Sequence, residues 1–347
     1  MGDPAGIGPE IIAKACARLR PTLLQRKLSL LILGSVAAMR QVEAFSGPIP
    51  VAGTRESVDS PIALVEVDAS LPTIQPGVLS KAGGRLAYPA IEKAVRLAQA
   101  GEIDGIVTAP LNKEALNMAG YHYAGHTDLL ADLTGARDSV MMLAHGDFRV
   151  SHVSTHVSLA KVPSRLTEPR LRRVIELTAE ALRTLGVARP RIGVAALNPH
   201  AGEGGIFGTE DTDVTAPLVA SYAGDDGMSV TGPVPGDTVF VKLRARQYDA
   251  VVAMYHDQGH IPVKLLGFDV DPATGEWKSL SGVNVTLGLP IIRTSVDHGT
   301  AFDIAGKGIA NDESLVEAID FAVRLASGRV ARGPSAADAS VNRHSNG

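Results

Sequence analysis

The sequence has little cysteine and no long apolar run, and each shortage excludes a class of protein. Cys16 is the only cysteine among 347 residues, so no intrachain disulfide and no multi-cysteine zinc site can form. No apolar stretch approaches the roughly 18 residues that a membrane span needs, and we find no signal peptide. We therefore expect a soluble cytosolic protein with no membrane partner.

Positive charge and aromatic side chains are also scarce. Lys and Arg number 33 against 37 Asp and Glu, which gives a net charge of −4, and aromatic residues make up 4% of the chain. Proteins that bind nucleic acid normally carry a basic stripe and aromatic side chains on which bases stack. The composition therefore argues against a nucleic-acid partner.

The apolar residues that are present alternate between strand and helix patterns. The length suits two domains of about 100–200 residues each. Predicted strands lie at 27–35, 62–67, 104–108, 140–144, 148–153, 191–197, 251–254, 281–290 and 291–296. Predicted helices lie at 36–45, 82–100, 168–185, 211–223 and 314–326. This alternation predicts an α/β fold with a mostly parallel sheet and helices on both faces.

The chain opens with a glycine-rich loop, MGDPAGIGPE, that leads into a helix. Such a loop can cradle an anion at the helix N-terminus, or it can be a simple backbone turn. Both interpretations stay open on the sequence alone. Because a loop of this kind normally follows a strand, we expect either a strand before residue 1 or a sheet that lacks its first strand.

Three predicted strands each lead into a histidine, namely His156, His200 and His256. A single histidine of this kind is usually a hydrogen-bonded structural residue. Three at corresponding strand ends are different, because the ends of parallel strands lie side by side. Three imidazoles that leave coordination positions open are typical of a catalytic zinc site, and other divalent metals suit the same ligands.

Two further segments carry polar groups at predicted loop positions. His126 and Thr127 stand at the entry of a helix in GHTDLL, where either residue can contact a phosphate or Thr127 can serve as a helix cap. The loop 265–281 bears Trp277, the only tryptophan, and is interpreted as a solvent-exposed flap or as a lid over the substrate. The string DHGTAFDIAGKGIAN at 297–311 is glycine-rich but differs from the Rossmann fingerprint.

Five strings together resemble one enzyme family. MGDPAGIGPE, GHTDLL, LNPHAGEGG, YHDQG and GVNVTLGLPIIRTSVDHGT are similar to the 4-hydroxythreonine-4-phosphate dehydrogenase (PdxA) family, over residues 1 to about 326. HGTAFDIAGKGIAN is also similar to the cofactor loop of isocitrate and isopropylmalate dehydrogenases. The resemblance implies a two-domain α/β fold like theirs, with an active-site cleft between the domains. It also implies a homodimer with a shared active site.

The resemblance further implies domain limits. A discontinuous cofactor-side domain is expected at 1–125 plus 290–330, and a metal, substrate and dimerisation domain at 126–289. The tail at 331–347 is rich in Ser, Ala, Arg, Gly and Asn and is predicted to be disordered.

The resemblance also implies roles for individual residues. The implied ligands of a divalent metal (Zn, Mg or Co) are His156, His200 and His256. The implied substrate-binding residues are His126, Thr127, Lys264, Asn284 and Arg293, and the implied catalytic residues are Lys264 and Asp257. The implied cofactor-binding residues, for NAD or alternatively NADP, are His298, Gly299, Thr300, Asp303 and Asn311.

The implied reaction is the oxidative decarboxylation of a phosphorylated four-carbon 3-hydroxy acid to a three-carbon ketone phosphate and CO2. The substrate would be 4-hydroxythreonine 4-phosphate, as in pyridoxine biosynthesis, or D-threonate or D-erythronate 4-phosphate, as in the catabolism of four-carbon acid sugars. QGHIPVKLLGF and the long 265–281 loop favour the sugar acids, and His260 is then expected to be a wall residue that tunes substrate preference. QGHIP also occurs in a branch that oxidises aromatic dihydrodiols.

Two other classes are kept as alternatives. Phosphate acyltransferases share the fold superfamily but need no hydride acceptor and no three-histidine metal, so their activity would survive a chelator. A non-catalytic metal- or phosphate-binding module would bind its ligand without producing NADH.

Overall fold

The computed structural model describes residues 1–26, 28–53, 59–70, 74–275 and 277–332. Most of the predicted tail, residues 333–347, lies outside these ranges. Within the described ranges, no helix is both long enough and apolar enough to cross a membrane.

The chain divides into two compact units. Unit 1 comprises Met1–Arg137 and Arg293–Ala322, and unit 2 comprises Asp138–Ile292 with a segment that begins at Val323. The predicted limits were 125 and 289. One consequence is that the segment carrying His126 and Thr127 belongs to unit 1, together with Arg293.

In the described part of unit 1, β1 pairs in parallel with β2, and β3 pairs in parallel with β12. Its strands are β1 Leu30–Gly34, β2 Ile62–Glu66, β3 Ile106–Thr108 and β12 Arg293–Val296. Its helices are α1 Gly8–Arg26, α2 Val36–Gln41, α3 Glu43–Ser46, α4 Lys81–Gln99, α5 Lys113–Met118, α6 His126–Thr134 and the first part of α11, Glu313–Arg332. One apolar cluster joins α1, β12 and α11 through Ile11, Val296 and Leu315. A second cluster joins α1 to β1 and β2.

In the described part of unit 2, the strands of the main sheet follow the order β11-β4-β5-β8-β6-β7. The strands are β4 Val140–His145, β5 Phe148–His152, β6 Arg191–Ala195, β7 Ser229–Val234, β8 Ala250–Ala253 and β11 Val283–Leu287. A separate antiparallel pair is formed by β9 Phe268–Val270 and β10 Trp277–Leu280. The helices are α7 Glu168–Thr184, α8 Ala216–Ala220, α9 Gly236–Arg244 and α10 His256–Gly267. 3-10 turns occupy Leu159–Lys161 and Pro163–Arg165, and Pro199–Gly205 is an irregular turn with left-handed residues inside it.

The strand directions in unit 2 reflect the sequence between the strands. The tight turn at His145–Gly146–Asp147 makes β4 and β5 antiparallel, as predicted, and β11 is antiparallel to β4. The pairs β5–β8, β8–β6 and β6–β7 are parallel. All four residues of β8, AVVA, are buried, which is typical of a central strand in a parallel sheet.

Candidate functional site

The three strands that lead to the predicted metal ligands are neighbours in unit 2. β8 pairs in parallel with β5 on one side and with β6 on the other. The segments after these strands, which carry His156, His200 and His256, therefore leave the sheet at the same edge, as predicted.

Gln258 fixes the start of α10 against the sheet. Its Oε1 accepts a hydrogen bond from the Met254 N–H at 2.7 Å, and its Nε2 donates to the Ala196 carbonyl at 2.8 Å. One side chain thereby bonds to the residue after β8 and to the residue after β6. The Gln258 contacts place His256 in the first turn of α10, directly beyond the sheet edge.

Four histidines form a row along the start of α10. The ring centroids of His152 and His260 are 4.8 Å apart, those of His260 and His256 are 3.6 Å apart and stacked, and those of His256 and His156 are 5.8 Å apart. His152 is fully buried and His260 is 7% exposed, whereas His156 at the other end of the row is exposed. The row thus runs from the core of unit 2 to its surface.

The buried end of this row stays uncharged at neutral pH. Burial lowers the pKa of His152 to about 3 and that of His260 to about 4, and in each case a neighbouring imidazole lowers it further. The Nδ1 of His260 donates to the His256 carbonyl at 2.9 Å, and the His260 ring stacks on the His256 ring. The hydrogen bond and the stacking together fix the orientation of the His260 ring.

Asp257 orients the His256 ring. The Nδ1 of His256 lies 2.6 Å from the Asp257 carboxylate, which can only accept, so Nδ1 carries the proton. The Nε2 of His256 is then a lone-pair donor. A carboxylate that holds one ring nitrogen while the other binds a metal is a recurrent arrangement in metalloproteins.

His200 lies in a different environment from His156 and His256. It is exposed and belongs to a run of left-handed residues, in which His200 has φ 52°, Ala201 φ 55° and Glu203 φ 40°. Such torsions are costly for residues with a Cβ, and they cluster at functional sites. The buried Asp211 fastens the start of this turn, because its carboxylate accepts from the N–H groups of Leu197 and Asn198, both at 2.9 Å.

Within the described part of the single chain, no group of three or more His, Cys, Asp or Glu side chains lies close enough together to hold a metal ion. The structure brings His156 and His256 together, but His200 does not join them in one such group. The three-histidine metal site therefore stays a prediction.

The other predicted residues of unit 2 are Lys264 and Asn284. Lys264 is half-buried two turns along α10 from His256, with its ammonium 4.5 Å from the centre of the Phe268 ring. Asn284 lies in β11, and its buried Oδ1 accepts no hydrogen bond from any described residue. A buried amide oxygen of this kind usually has a partner.

The predicted anion-binding residues of unit 1 lie around the start of β12. Arg293 is 3% exposed, and its Nη2 donates to the Thr108 hydroxyl of β3 at 2.8 Å. Burial lowers the pKa of Arg293 to about 10, which leaves it charged at neutral pH. Burial and the nearby Arg293 charge hold the pKa of His126 well below its usual value, and the buried Nε2 of His126 has no partner among the described residues.

The start of α6 rules out one of the two interpretations of Thr127, and the phosphate contact stays a prediction. The helix begins at His126 after Gly125, and no side chain caps it. Thr127 is the second residue of the helix and is half-buried, so the capping interpretation is wrong.

The predicted cofactor residues belong to an irregular segment of unit 1 between β12 and α11. Gly306 and Gly308 both have φ 75°, a left-handed conformation that favours glycine. Gly299 is exposed, with open space where a side chain would begin. The remaining predicted positions are half-buried or exposed, namely His298, Thr300, Asp303 and Asn311.

Comparison with known proteins decides the family. The family model described as pyridoxal phosphate biosynthetic protein PdxA matches residues 17–322, which is most of the chain. The chain belongs to the PdxA family.

Members of the PdxA family with assigned names resemble the chain over nearly their whole length. A putative D-threonate 4-phosphate dehydrogenase of Bradyrhizobium diazoefficiens is 66% identical, over 94% of this chain and 96% of that protein. A 4-hydroxythreonine-4-phosphate dehydrogenase of Beijerinckia indica is 46% identical, over 94% and 93% respectively. The crystal structure of a 4-hydroxythreonine-4-phosphate dehydrogenase from Klebsiella pneumoniae aligns with a TM-score of 0.76 at 42% identity, over 94% of this chain and 96% of that chain. The predicted α/β fold class is thereby confirmed.

Four residues that support this site went unnoticed in the sequence. Gln258 and Asp211 fasten the turns that carry His256 and His200, Thr108 holds Arg293, and His152 continues the histidine row. Only His152 had a visible signal, since it stands four residues before His156. Each of the other three has at least one hydrogen-bond partner 13 or more residues away in the chain, which no local pattern reveals.

Proposed function

We propose that the chain is a metal-dependent, NAD-linked dehydrogenase that oxidises and decarboxylates a phosphorylated four-carbon 3-hydroxy acid. The observation that carries this proposal is the 66% identity, over 94% of the chain, with an enzyme named for D-threonate 4-phosphate. We therefore favour D-threonate or D-erythronate 4-phosphate over 4-hydroxythreonine 4-phosphate as the substrate. NADP is the alternative cofactor.

In the proposed reaction, hydride leaves C3 of the substrate for the nicotinamide and the hydroxyl proton is released, which gives a 3-keto acid. The C1–C2 bond then breaks, CO2 departs, and protonation of C2 yields the three-carbon ketone phosphate. A divalent metal at the substrate oxygen would favour both the alkoxide and the enolate.

Arg293, His126 and Thr127 are proposed to bind the phosphate or carboxylate of the substrate. Arg293 is charged, buried and already oriented by Thr108, so little freedom is lost when it forms a bidentate pair. His126 stays neutral and can donate one hydrogen bond without adding charge beside Arg293.

His156, His200 and His256 are proposed to hold the metal. The donor type fits, and the 5.8 Å between the His156 and His256 rings suits two imidazoles directed at one ion. Because the described part of one chain gathers no third ligand beside them, we propose that the site is completed in a homodimer. Asp257 then serves to orient His256, and Lys264 and Asn284 contact the substrate.

A homodimer is also supported by an exposed apolar surface in unit 2. Ile261 and Leu265, four residues apart on α10, are 63% and 79% exposed. Large apolar side chains that are exposed next to one another often mark protein–protein contacts.

A substrate comparison tests the proposal. Formation of NADH at 340 nm would be measured with D-threonate 4-phosphate, D-erythronate 4-phosphate and 4-hydroxythreonine 4-phosphate, before and after treatment with a chelator. We expect turnover of a sugar-acid phosphate that stops without metal and returns when a divalent ion is added. A strong preference for the amino substrate would refute the sugar-acid assignment, and activity that survives the chelator would refute metal dependence.

A further inference from the structure

The glycine-rich start of the chain packs on the predicted cofactor segment of unit 1. The Ile7 N–H donates to the Thr300 carbonyl at 2.9 Å, and a side chain at Gly6 would overlap Thr300. The N–H groups of Ala5 and Gly6 bond to the Asp3 carboxylate and the Asp3 carbonyl. Protein acceptors thus already engage the N–H groups of Ala5, Gly6 and Ile7, which an anion cradle would have to offer.

Glu10 in the first turn of α1 and Lys14 in the next turn form a closed hydrogen-bond network with residues 308 and 310. The Glu10 carboxylate is buried and accepts from the Gly308 N–H at 3.1 Å and the Ala310 N–H at 2.7 Å. The Lys14 ammonium donates to the Gly308 and Ala310 carbonyls at 2.9 and 2.7 Å, and to Glu10 at 2.8 Å. Lys14 therefore uses all three of its N–H donors in this network.

The network and an aromatic ring together hold the backbone of residues 308–310. Gly308 is left-handed, and a side chain there would meet the Phe45 ring. Lys14 lies 5.0 Å from the centre of that same ring. Residues 308–310 are thus held by hydrogen bonds on both edges and by an aromatic wall, although they belong to no regular element.

We propose that Glu10 and Lys14 are positioning residues that hold residues 306–311 in the conformation that binds the dinucleotide. The proposal rests on the proposed function, because it takes the NAD of that function to bind at the predicted cofactor segment, residues 298–311. The proposal explains the string GIGPEIIAK, because the start of α1 supplies the side chains that bond to the cofactor segment. Charge-assisted hydrogen bonds to backbone groups are among the stronger protein hydrogen bonds, so removal of either side chain loosens the segment.

The test compares Lys14→Met with wild type. The dissociation constant for NAD would be measured by calorimetry, and amide hydrogen exchange of peptides containing Gly308 and Ala310 would be followed without NAD. We expect Lys14→Met to speed this exchange and to weaken NAD binding by about tenfold or more, the effect of losing one hydrogen bond to a charged group. The KM for NAD should rise, while the KM for the phosphorylated acid stays within about twofold because its binding residues lie elsewhere.

Lys14→Arg and Arg172→Met serve as controls, and Glu10→Gln is a substitute for the test variant. Lys14→Arg keeps the charge and several donors and should recover most of the NAD affinity. Glu10→Gln keeps an acceptor and replaces Lys14→Met if the latter does not fold. Arg172→Met removes an exposed ion pair with Glu168, also four residues apart on a helix, and should change neither exchange nor binding.

The outcomes separate the two proposals. Failure of the wild-type protein to bind NAD or NADP would refute the proposed function together with the role of the network. Normal wild-type binding combined with unchanged exchange, or with faster exchange but unchanged NAD affinity in Lys14→Met, would refute the positioning role alone.

Discussion

At the scale of single residues, His152 shows how burial decides the charge of a side chain in unit 2. It is fully buried, its Nδ1 lies 3.2 Å from the Met141 carbonyl, and its ring faces His260. Desolvation therefore lowers the pKa of His152, and the imidazole stays neutral at pH values far below the usual pKa of histidine.

The stability of the protein should depend on pH through His152. The unfolded chain protonates this residue near pH 6.5, whereas the folded chain does so only near pH 3. The folded state is therefore not penalised by His152 above pH 6.5. As the pH falls from 6.5 towards 3, the unfolded chain binds a proton at this residue that the folded chain does not, and the free energy of unfolding decreases. Between pH 7.5 and 5.0 we expect wild type to lose about 2 kcal/mol more unfolding free energy than His152→Gln does. Urea denaturation at both pH values measures this difference, and an equal loss in both proteins would contradict it.

Arg293 should contribute to substrate binding through the shape of its side chain as well as its charge. Lys at this position keeps the charge but loses the fork that pairs with two oxygens. We expect Arg293→Lys to lower kcat/KM for the phosphorylated acid by about 100-fold, mainly through KM. Steady-state kinetics measures this effect.

The matched control for Arg293→Lys is Arg149→Lys. Arg149 is a buried arginine of unit 2 that pairs with Asp147. Its replacement should lower thermal stability and leave KM unchanged, and an equal rise in KM in both variants would contradict a specific role for Arg293.

At the scale of elements, α10 connects the sheet to the row of histidines. Gln258 bonds to two strand ends, and Gly259 lets the helix approach β5 closely. A Cβ at Gly259 would overlap the His152 Nε2 and lie 2.9 Å from a methyl group of Val150. The glycine in YHDQG is therefore explained by packing.

Gly259→Ala should destabilise unit 2 although alanine favours helix. The gain in helix propensity is about 1 kcal/mol, whereas overpacking typically costs about 1–3 kcal/mol and here displaces β5 or the His152 ring. We expect a net loss of about 1–2 kcal/mol in unfolding free energy and weaker metal binding at the proposed site. Chemical denaturation and metal titration check both effects.

Gly125→Ala is the control for this prediction. A Cβ at Gly125 meets nothing within 4 Å, and the backbone there is extended, so stability should stay within about 0.5 kcal/mol. A larger loss in Gly125→Ala than in Gly259→Ala would show that the His152 contact is not the cause.

At the scale of the whole molecule, each unit has its own apolar clusters and its own set of polar residues. Unit 1 carries the buried Arg293 and the predicted cofactor segment, and unit 2 carries the histidine row. The proposed homodimer would complete the metal site, because the described part of one chain does not bring three metal ligands together.

Mixing two inactive variants tests the shared site. His200→Ala and His256→Ala would each be inactive alone. If one subunit supplies His200 and the other His256, a mixed dimer has one intact site of two, so random exchange restores about a quarter of wild-type activity. The mixture would be unfolded, refolded and assayed with metal, alongside each variant treated alone. A mixture as inactive as the separate variants would contradict the shared site.

Much of this molecule could be predicted from the sequence because the relevant signals are local. Apolar periodicity gave most strands and helices, and the β4–β5 hairpin followed from the turn His145–Gly146–Asp147. Residues 265–281 were interpreted as one loop, but 265–267 end α10 and the β9–β10 pair follows, whose strands of three and four residues are too short to show a clear apolar alternation. The strings GHTDLL, LNPHAGEGG and YHDQG indicated the family, since each combines chemistry-bearing residues at fixed spacing.

Only the tertiary structure decided which of these residues meet. Strand order sets β5 beside β8, which brings His156 to His256, whereas His200 lies in a left-handed turn and forms no three-residue group with them among the described residues. His260, expected at a wall, is buried beneath His256. Likewise the glycine-rich start, open to two interpretations in the sequence, packs on residues almost 300 positions away. Spacing along the chain determines local conformation, but distances between segments depend on strand order and packing.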